Sequence, residues 1–534
     1  MKKKILTLSS LLFIPAVLIG TTSCGKKSGA DEYDEKGRLI LNLKNLYFSD
    51  WTGGDPYTEI LEDKFQVKVK AGSYSNNDWD QQVENAVNSS SANPLPDVFH
   101  FNLESFNFGN TYQFWTEGKI LKQIPDDLSN WPNIKNMVES ISHVDALKIN
   151  GHLYGLPIAY NIKDPVKTFS SFTYVYHRDW AKECGVYKEN DEYTWDEFLE
   201  LLKAFKQKFE KEKKDAYALG DVEWGFPSIT NFYKDAPHCY TYDENGKVIN
   251  AFTSPKYCEG LIKAKDVVNK GYYFEQSEAH QGDVHNKYKY GQIGVYYENL
   301  SLTNYTNLRK EYANCFPLMS EDDLDEACAF MKVKGPDGKY ALESTENWYS
   351  MSMFNYDISE TKMNKILDII DYLLGDEGTK LAVYGIEGFD YEIVDGEVRL
   401  LESGWTKDKD GNYTPKVNGA KNLRYMATLG NDTFDIDPTV NKRYYEIYSN
   451  WISEMKESEM AGNLRKFIEP AEIKWCSTPL KDANTSGLIE EGNENAMKFC
   501  YNLENYRTID EYRARFSSKW DDTIASINQK LGKQ

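Results

Sequence analysis

Apolar and polar positions along the chain alternate between two periods, and the changes of period mark the elements. Residues 39–48, LILNLKNLYF, are apolar at most positions and run into Trp51-Thr52-Gly53-Gly54, which predicts a first strand ending in a glycine-rich loop. Asp80 to Val87 can form a helix, and Leu95 to Phe101 predicts a second strand. Phe172 to Tyr176 alternates at strand period before a helix opens around Arg178. Thr194, with Glu197 three residues on, is a capping box for a helix carrying Trp195, Phe198, Leu202, Phe205 and Phe209 at helical spacing, so these aromatics are core. Gly291 to Tyr297 predicts a buried strand. Met363, Ile366, Leu367, Ile370 and Leu374 share one face of a helix that Gly375 ends. Lys442 to Met455 and Ile509 to Leu531 read as long helices that pack on the second half of the molecule. Asp337-Gly338, Asp395-Gly396 and Asp410-Gly411 are hairpin-turn signals.

The N-terminus follows a different pattern. Lys2-Lys3-Lys4, an apolar run from Ile5 to Ile19 and the small residues Gly20 to Ser23 precede Cys24, the layout of a signal peptide with its cleavage site. The apolar run is too short for a retained membrane helix. Its end resembles a lipobox in which Cys24 becomes the lipidated first residue, with Thr21 standing where Leu is usual. Residues 25–37, GKKSGADEYDEKG, are polar and predict a flexible tether.

With 534 residues the chain exceeds one ordinary core and implies two or more domains. The formal charge is −21, and removal of residues 1–23 makes it more negative, which argues against nucleic acid as a partner. Aromatic residues make up 14%, including 38 Tyr and 12 Trp, a stock of flat faces with polar edges that suits sugar rings. Beyond Cys24 the cysteines are seven, an odd number without Cys-x-x-Cys spacing, so buried free thiols are expected rather than a disulfide frame or a zinc site. The loop DKDGNYTPKVNG lacks the later ligands of an EF-hand, and no metal or cofactor is expected. There is no Gly-x-Ser-x-Gly elbow, P-loop, His-Glu-x-x-His or dinucleotide fingerprint, so an enzyme is not expected. A carboxylate pair at glycosidase spacing would leave no sequence mark. A lipid-anchored glycoside hydrolase and a peptide-binding lipoprotein therefore stand as alternatives.

Residues 151–180, GHLYGLPIAYNIKDPVKTFSSFTYVYHRDW, followed by Thr194 to Phe198, resemble the family 1 extracellular solute-binding proteins of bacterial ABC importers, closest to their long lipoprotein branch. Pro96-Asp97-Val98, Gly291 to Val295, Gly375 to Gly378 and Tyr384 to Gly388 add matches in the same order. The resemblance implies an α/β, two-lobed, periplasmic-binding-protein-like fold (type II) with hinged lobes and a ligand cleft between them. It implies a signal peptide over 1–23, a tether over 24–37, an N-terminal lobe over 38–165 and 335–400, and a C-terminal lobe over 166–334 and 401–534. The implied function is binding of a carbohydrate, an oligosaccharide, and delivery to the permease subunits by a monomer held at the outer face of the cell membrane by its lipid.

The candidate ligand contacts are Trp51, Asn102, Tyr160, Trp224, Tyr297, Glu298 and Trp348. Trp51 follows a strand's carboxyl end, the edge where α/β sheets take ligands, and could equally be a packed loop anchor. Trp224 stands between acids and beside Gly and Pro, away from any apolar stripe. Asn102, with Asp97 behind it, Tyr297, Glu298 and Trp348 or Tyr349 come from the family resemblance; packing of Tyr297 and helix capping by Glu298 remain open. Trp51, Tyr160, Trp224 and Trp348 are expected to line the cleft, so that truncating Trp348 weakens binding with little loss of stability.

Overall fold

In the computed structural model the chain is described over residues 31–48, 51–73, 79–88, 95–102, 108–141, 144–159, 172–221, 228–233, 240–274, 283–343, 348–408, 412–427, 440–467, 485–503 and 506–533. In chain order the described strands up to residue 354 are β1 (Leu39–Asn45), β2 (Val67–Ser73), β3 (Val98–Asn102), β4 (Gly155–Ala159), β5 (Phe172–Tyr176), β6 (Glu192–Tyr193), β7 (Tyr217–Asp221), β8 (Tyr240–Tyr242), β9 (Val248–Asn250), β10 (Ile293–Asn299), β11 (Ala329–Val333), β12 (Tyr340–Glu343) and β13 (Trp348–Phe354).

Two five-stranded mixed sheets carry the architecture, one in the order β2-β1-β3-β13-β4 and the other β6-β11-β5-β10-β7. In the first, β1 runs parallel to β2 and β3, while β13 enters antiparallel between β3 and β4. In the second, β5 is antiparallel to both β10 and β11, and β10 is parallel to β7. Each sheet gathers its own core, because strands flanked by helices must bury apolar side chains on both faces. The first core takes Leu41, Leu61, Leu156, Met351 and Leu367. The second sheet has one core on each face: Tyr174, Tyr176 and Phe205 lie on one side, and Val175, Tyr296 and Phe330 on the other.

Local signals set the elements. The helix Pro56–Phe65 is capped by Asp55, whose side chain accepts the Tyr57 and Thr58 N–H groups. The helix Trp195–Glu212 carries the predicted Thr194–Glu197 capping box in full. Asp395 and Gly396, at φ of 54° and 86°, close the predicted hairpin between 391–394 and 397–400. Gly338, at φ of 74°, turns the chain back onto Tyr340. Asp410-Gly411 lies outside the described residues.

Three expectations change. Residues 31–37, read as the end of a tether, are folded: the Asp34 side chain accepts from the Lys36 and Arg38 N–H groups and from Arg38 Nε at 2.8 Å, and Ser359 Oγ donates to Asp31 at 2.5 Å. A short polar stretch can order when one carboxylate satisfies its amides. The stretch read as one helix over 509–531 is two, Ile509–Arg513 and Ser518–Lys530. Between them Glu491 accepts hydrogen bonds from the Ser517 N–H at 2.7 Å and Oγ at 2.9 Å, a tertiary contact that outweighs helix period. The helix Gly419–Met426, placed by the sequence with the second lobe, buries Leu423, Tyr425 and Met426 in the first core.

The C-terminal tail covers both faces of the second sheet. Tyr448, Trp451 and Met455 pack on one face, and Leu488, Phe499, Trp520 and Ile527 on the other. Arg309, fully buried, ties this tail to the body: its guanidinium pairs with Asp325 at 2.7 Å and lies 4.4 Å over the Tyr444 ring. A buried cation is tolerated only when paired in this way.

Candidate functional site

Strand register brings the candidates to two edges. Trp348 pairs opposite Ala159 and Ser350 opposite Asn102, so the start of β13, the ends of β3 and β4 and the loop after β1 share one edge of the first sheet. Asn299 pairs opposite Phe172, and Tyr297 opposite Asp221, so the ends of β10 and β7 and the start of β5 share one edge of the second. These are the edges at which α/β sheets hold ligands.

At the first edge the described tryptophans are structural. Trp51 is 4% exposed; its indole N–H donates to Asp55 Oδ2 at 2.8 Å and Thr58 Oγ1 at 3.0 Å, and its ring meets the Phe48 ring edge-on at 4.6 Å. It is the loop anchor of the two roles the sequence allowed. Trp348 is 3% exposed and belongs to the first core, at a bulge in the β13–β4 pairing. Its burial arises because β13 is a central strand covered on both faces. Asp97 serves packing: both its carboxylate oxygens lie 2.9 Å from Lys362 Nζ, and one accepts the Asn42 N–H at 2.7 Å. Asn102 ends β3, and nothing further is described of it. Cys24, Tyr160 and Trp224 lie outside the described residues.

The second edge is half-open and polar. Tyr297 lays its ring against Tyr174 at 4.9 Å and Phe172 at 6.0 Å, and its hydroxyl accepts from Asn231 Nδ2 at 2.7 Å. Glu298, the next residue, projects to the opposite face of the sheet, as strand alternation requires. It accepts the Tyr296 hydroxyl and the Asn299 N–H. The two neighbouring candidates thus serve different faces.

On the Glu298 side a pocket of about 240 Å³ opens between the helices Asp283–Lys289 and Leu302–Cys315. Its walls are polar: Glu298, His285, Asn304, Asn307 and Glu311, over two buried leucines, Leu300 and Leu308. His285 Nε2 shares a hydrogen bond with Glu311 at 2.9 Å, and Lys289 Nζ reaches the same carboxylate at 3.2 Å. Burial raises the Glu311 pKa, but these two partners overcome it and hold the group below its ordinary value.

On the Tyr297 side lies a network that sequence reasoning missed. Asp221, fully buried at the end of β7, accepts from the Ser228 N–H at 2.5 Å, from Ser228 Oγ at 2.7 Å and from the Tyr273 hydroxyl; Tyr174 donates to Ser228 Oγ at 2.7 Å. Burial pushes the Asp221 carboxyl up to about 7, against the pull of the Ser228 hydrogen bonds. Asp221 and Ser228 fix the two ends of the 222–227 segment that carries Trp224. The signal available in the sequence was an acid opening the loop that carries Trp224, with a serine directly after Pro227.

No group of three or more His, Cys, Asp or Glu that could hold a metal ion occurs among the described residues. Asp408, in the loop rejected as an EF-hand, pairs with Lys310 Nζ at 3.1 Å and accepts the Asn412 N–H at 2.8 Å. The five described cysteines are free, with Cys258, Cys328 and Cys500 buried.

No family model matches the chain. Among curated proteins it is similar to Lipoprotein LipO of Bacillus subtilis (strain 168), 25% identical over 288 residues, and that match spans about half of each protein, 52% of this chain and 53% of LipO. It is also similar to the polygalacturonan/rhamnogalacturonan-binding protein YtcQ of the same strain, 22% identical over 417 residues, covering 74% of this chain and 76% of YtcQ. Among solved structures, an extracellular solute-binding protein from Bifidobacterium longum subsp. infantis superposes with a TM-score of 0.63 at 14% identity, covering 94% of this chain and 98% of that one. The chain has the fold of an extracellular solute-binding protein. The alginate-binding protein AlgQ2 gives a TM-score of 0.59 at 14% identity over 92% of this chain and 97% of its own. The substrate-binding protein FusA of S. pneumoniae, solved with kestose, gives 0.57 at 13% over 93% and 100%. The solute-binding fold therefore extends over nearly the whole chain, including the tail.

Proposed function

We propose that this chain is the extracellular, lipid-anchored solute-binding component of an ABC importer, that it takes an oligosaccharide without transforming it, and that it hands the sugar to membrane permease subunits. The observation that carries the reading is a solute-binding fold matched over 92–93% of the chain with a protein named for alginate binding and with a substrate-binding protein solved with kestose, together with a curated relative named for polygalacturonan and rhamnogalacturonan binding. The ligand lies between the edge of the first sheet and the edge of the second, with Asn102, Tyr160, Trp224 and Tyr297 among its contacts, and the lobes close on it by a hinge motion that binding favours. The lobes are residues 38–165 with 335–400 and 419–427, and 166–334 with the rest of the tail. No helix among the described residues is long and apolar enough to cross a membrane, and the anchor in this reading is an acylated Cys24 on a monomer.

Calorimetric titration of the purified protein with a panel of oligosaccharides tests the ligand class, and millimolar titrations without heat for every member would sink it. Steady multiple-turnover release of reducing ends from the tightest ligand would show a hydrolase instead. Cys24→Ala should release the protein from the membrane fraction; retention would rule the lipid out as the anchor.

A further inference from the structure

The ring of Tyr297 rests on Tyr174 and Phe172, but its hydroxyl is set from farther away. Asn231 Nδ2 donates to that hydroxyl at 2.7 Å, and Asn231 lies in the 3-10 turn Ser228–Phe232, every residue of which is buried. The turn is fixed at its start by the bonds between Ser228 and Asp221. Toward its end the Asn231 carbonyl accepts from Arg465 Nη2 at 3.0 Å, a charge-assisted bond and so one of the stronger kind. Arg465 Nε also faces Asp337 Oδ2 at 3.3 Å, an ion pair with an exposed carboxylate that orients the guanidinium and adds little stability by itself.

Arg465 comes from the tail. It stands on the strand Leu464–Phe467, which follows the helix Lys442–Met460 and runs parallel to β12, with Arg465 opposite Ala341. The Tyr340 N–H donates to the Asn463 carbonyl at 2.9 Å where this pairing begins. β12 is the last part of the second lobe before the chain crosses: Tyr340 and Leu342 are buried with the second sheet, and Trp348 is buried with the first. The tail strand therefore braces one end of a crossing between the lobes, and from that strand a side chain reaches the residue that orients Tyr297. The path from Tyr297 through Asn231 and Arg465 to β12 runs by hydrogen bonds and strand pairing. A contact whose orientation is fixed before a ligand arrives loses less freedom when the ligand binds.

We infer that Arg465 is a positioning residue for sugar binding: acting through Asn231, it orients the Tyr297 hydroxyl and ties it to the crossing between the lobes, so that the tail takes part in binding without touching the sugar. This rests on the proposed oligosaccharide function with Tyr297 as a contact, and it adds a residue from outside the site to that function. A guanidinium suits the task because its donors point in fixed directions, one toward a carbonyl and one toward a carboxylate, whereas a lysine keeps the charge and offers only a point donor. Without Arg465 the Asn231 turn loses a restraint, and a sugar that engages Tyr297 must order it at the cost of affinity.

The probe is the tightest binder among kestose and the tetrasaccharides of mannose, mannuronate and galacturonate, titrated calorimetrically into the wild type, Arg465→Met, Arg465→Lys, Asn231→Ala and the double variant Arg465→Met with Asn231→Ala. Arg465→Met keeps the length of the stem and should weaken binding about tenfold, and Arg465→Lys should recover part of that loss. Asn231→Ala should weaken binding to a similar extent, and the double variant should bind no more than about twofold worse than the weaker single variant, because both changes break one link. Tyr297→Phe breaks the same link from the other side and takes the place of Asn231→Ala if that variant does not fold. Small-angle scattering should show the contraction of the wild type at saturating sugar to be larger than that of Arg465→Met. Wild-type affinity in Arg465→Met, or losses that multiply in the double variant, overturns the inference and leaves the oligosaccharide reading standing, since Arg465 would then be idle or would act apart from Asn231. An equal contraction in the two proteins overturns the tie to the crossing. If no probe binds the wild type at millimolar concentration, the oligosaccharide reading itself falls, and the inference with it.

Discussion

The edges of the two sheets have the same number of strands behind them and opposite characters. At the first, the described tryptophans are sunk in core: Trp51 spends its indole N–H on Asp55 and Thr58, and Trp348 lies under both layers around β13. At the second, Tyr297, Glu298 and the Glu298 pocket are partly open, and alongside the Tyr297 ring contacts their partners are hydroxyls, amides and carboxylates. The difference teaches that an aromatic at a strand end is not evidence of a stacking platform until its polar atom is accounted for. An indole whose N–H is already satisfied inside the protein is an anchor.

The sharpest way to break this contrast is Trp348→Ala. Emptying a Trp-sized space in a packed core should cost about 3–5 kcal/mol of folding stability, read as a large drop in the urea midpoint. An unchanged midpoint with lost sugar affinity would restore the expectation that Trp348 is a ligand contact. Next comes the buried pair at the opposite end of β3. Lys362→Met leaves Asp97 without its cation and should cost on the order of 3–5 kcal/mol, much of it recovered in the double variant with Asp97→Leu. Additive losses in that cycle would show the pair to be uncoupled.

The second edge should instead respond to pH. The folded pKa of Asp221, about 7, lies above its ordinary value of 3.8, so the folded protein holds this proton more firmly than the unfolded chain. Its contribution to stability is fully present below about pH 4 and is lost as pH rises to about 7, a change on the order of a few kcal/mol. Denaturation of wild type and Asp221→Asn across that range isolates it: the difference between them should slope from pH 4 to 7 and flatten above. A flat difference throughout would mean the carboxyl is ionised in the fold. The smallest effect is expected of Tyr297→Phe, which keeps the ring on Tyr174 and removes the acceptor for Asn231, about 1 kcal/mol or less. A loss of several kcal/mol would make that hydroxyl part of the structural core rather than of an open edge.

Much of the fold was legible because it is written in local signals. The Thr194–Glu197 capping box, the Asp395-Gly396 turn and the aromatic stripe from Phe198 to Phe209 need only near neighbours in the chain, and the structure carries each of them. The family likeness of residues 151–180 led to the fold class that the solved structures share. What stayed hidden depends on distant partners. Nothing near Ser517 announces that Glu491 will break its helix, and nothing in residues 419–427 tells which core they join. The site suffered most: Tyr297 and Glu298 were both taken from the family resemblance of one segment, although strand alternation sends them to different faces. The Asp221–Ser228–Tyr273 network escaped because its members are spread over some fifty residues and become one group only when β7 is laid beside the segment that ends at Phe274.

The placing of β13 has a consequence for how the chain is made. Its two neighbours in the sheet, β3 and β4, are complete by residue 159, but the strand that joins them begins at residue 348. At a synthesis rate of roughly 5–20 residues per second the interval is on the order of 10–40 s. Throughout it β3 and β4 present open hydrogen-bonding edges, the kind that recruits strands from other chains. The second sheet waits for less of the chain: β5 ends at residue 176 and its two neighbours, β10 and β11, are complete by residue 333, inside the same interval. Newborn molecules therefore spend that interval with the first sheet ajar while the strands of the second are still being made, and the rate of translation between residues 159 and 348 sets how long that lasts.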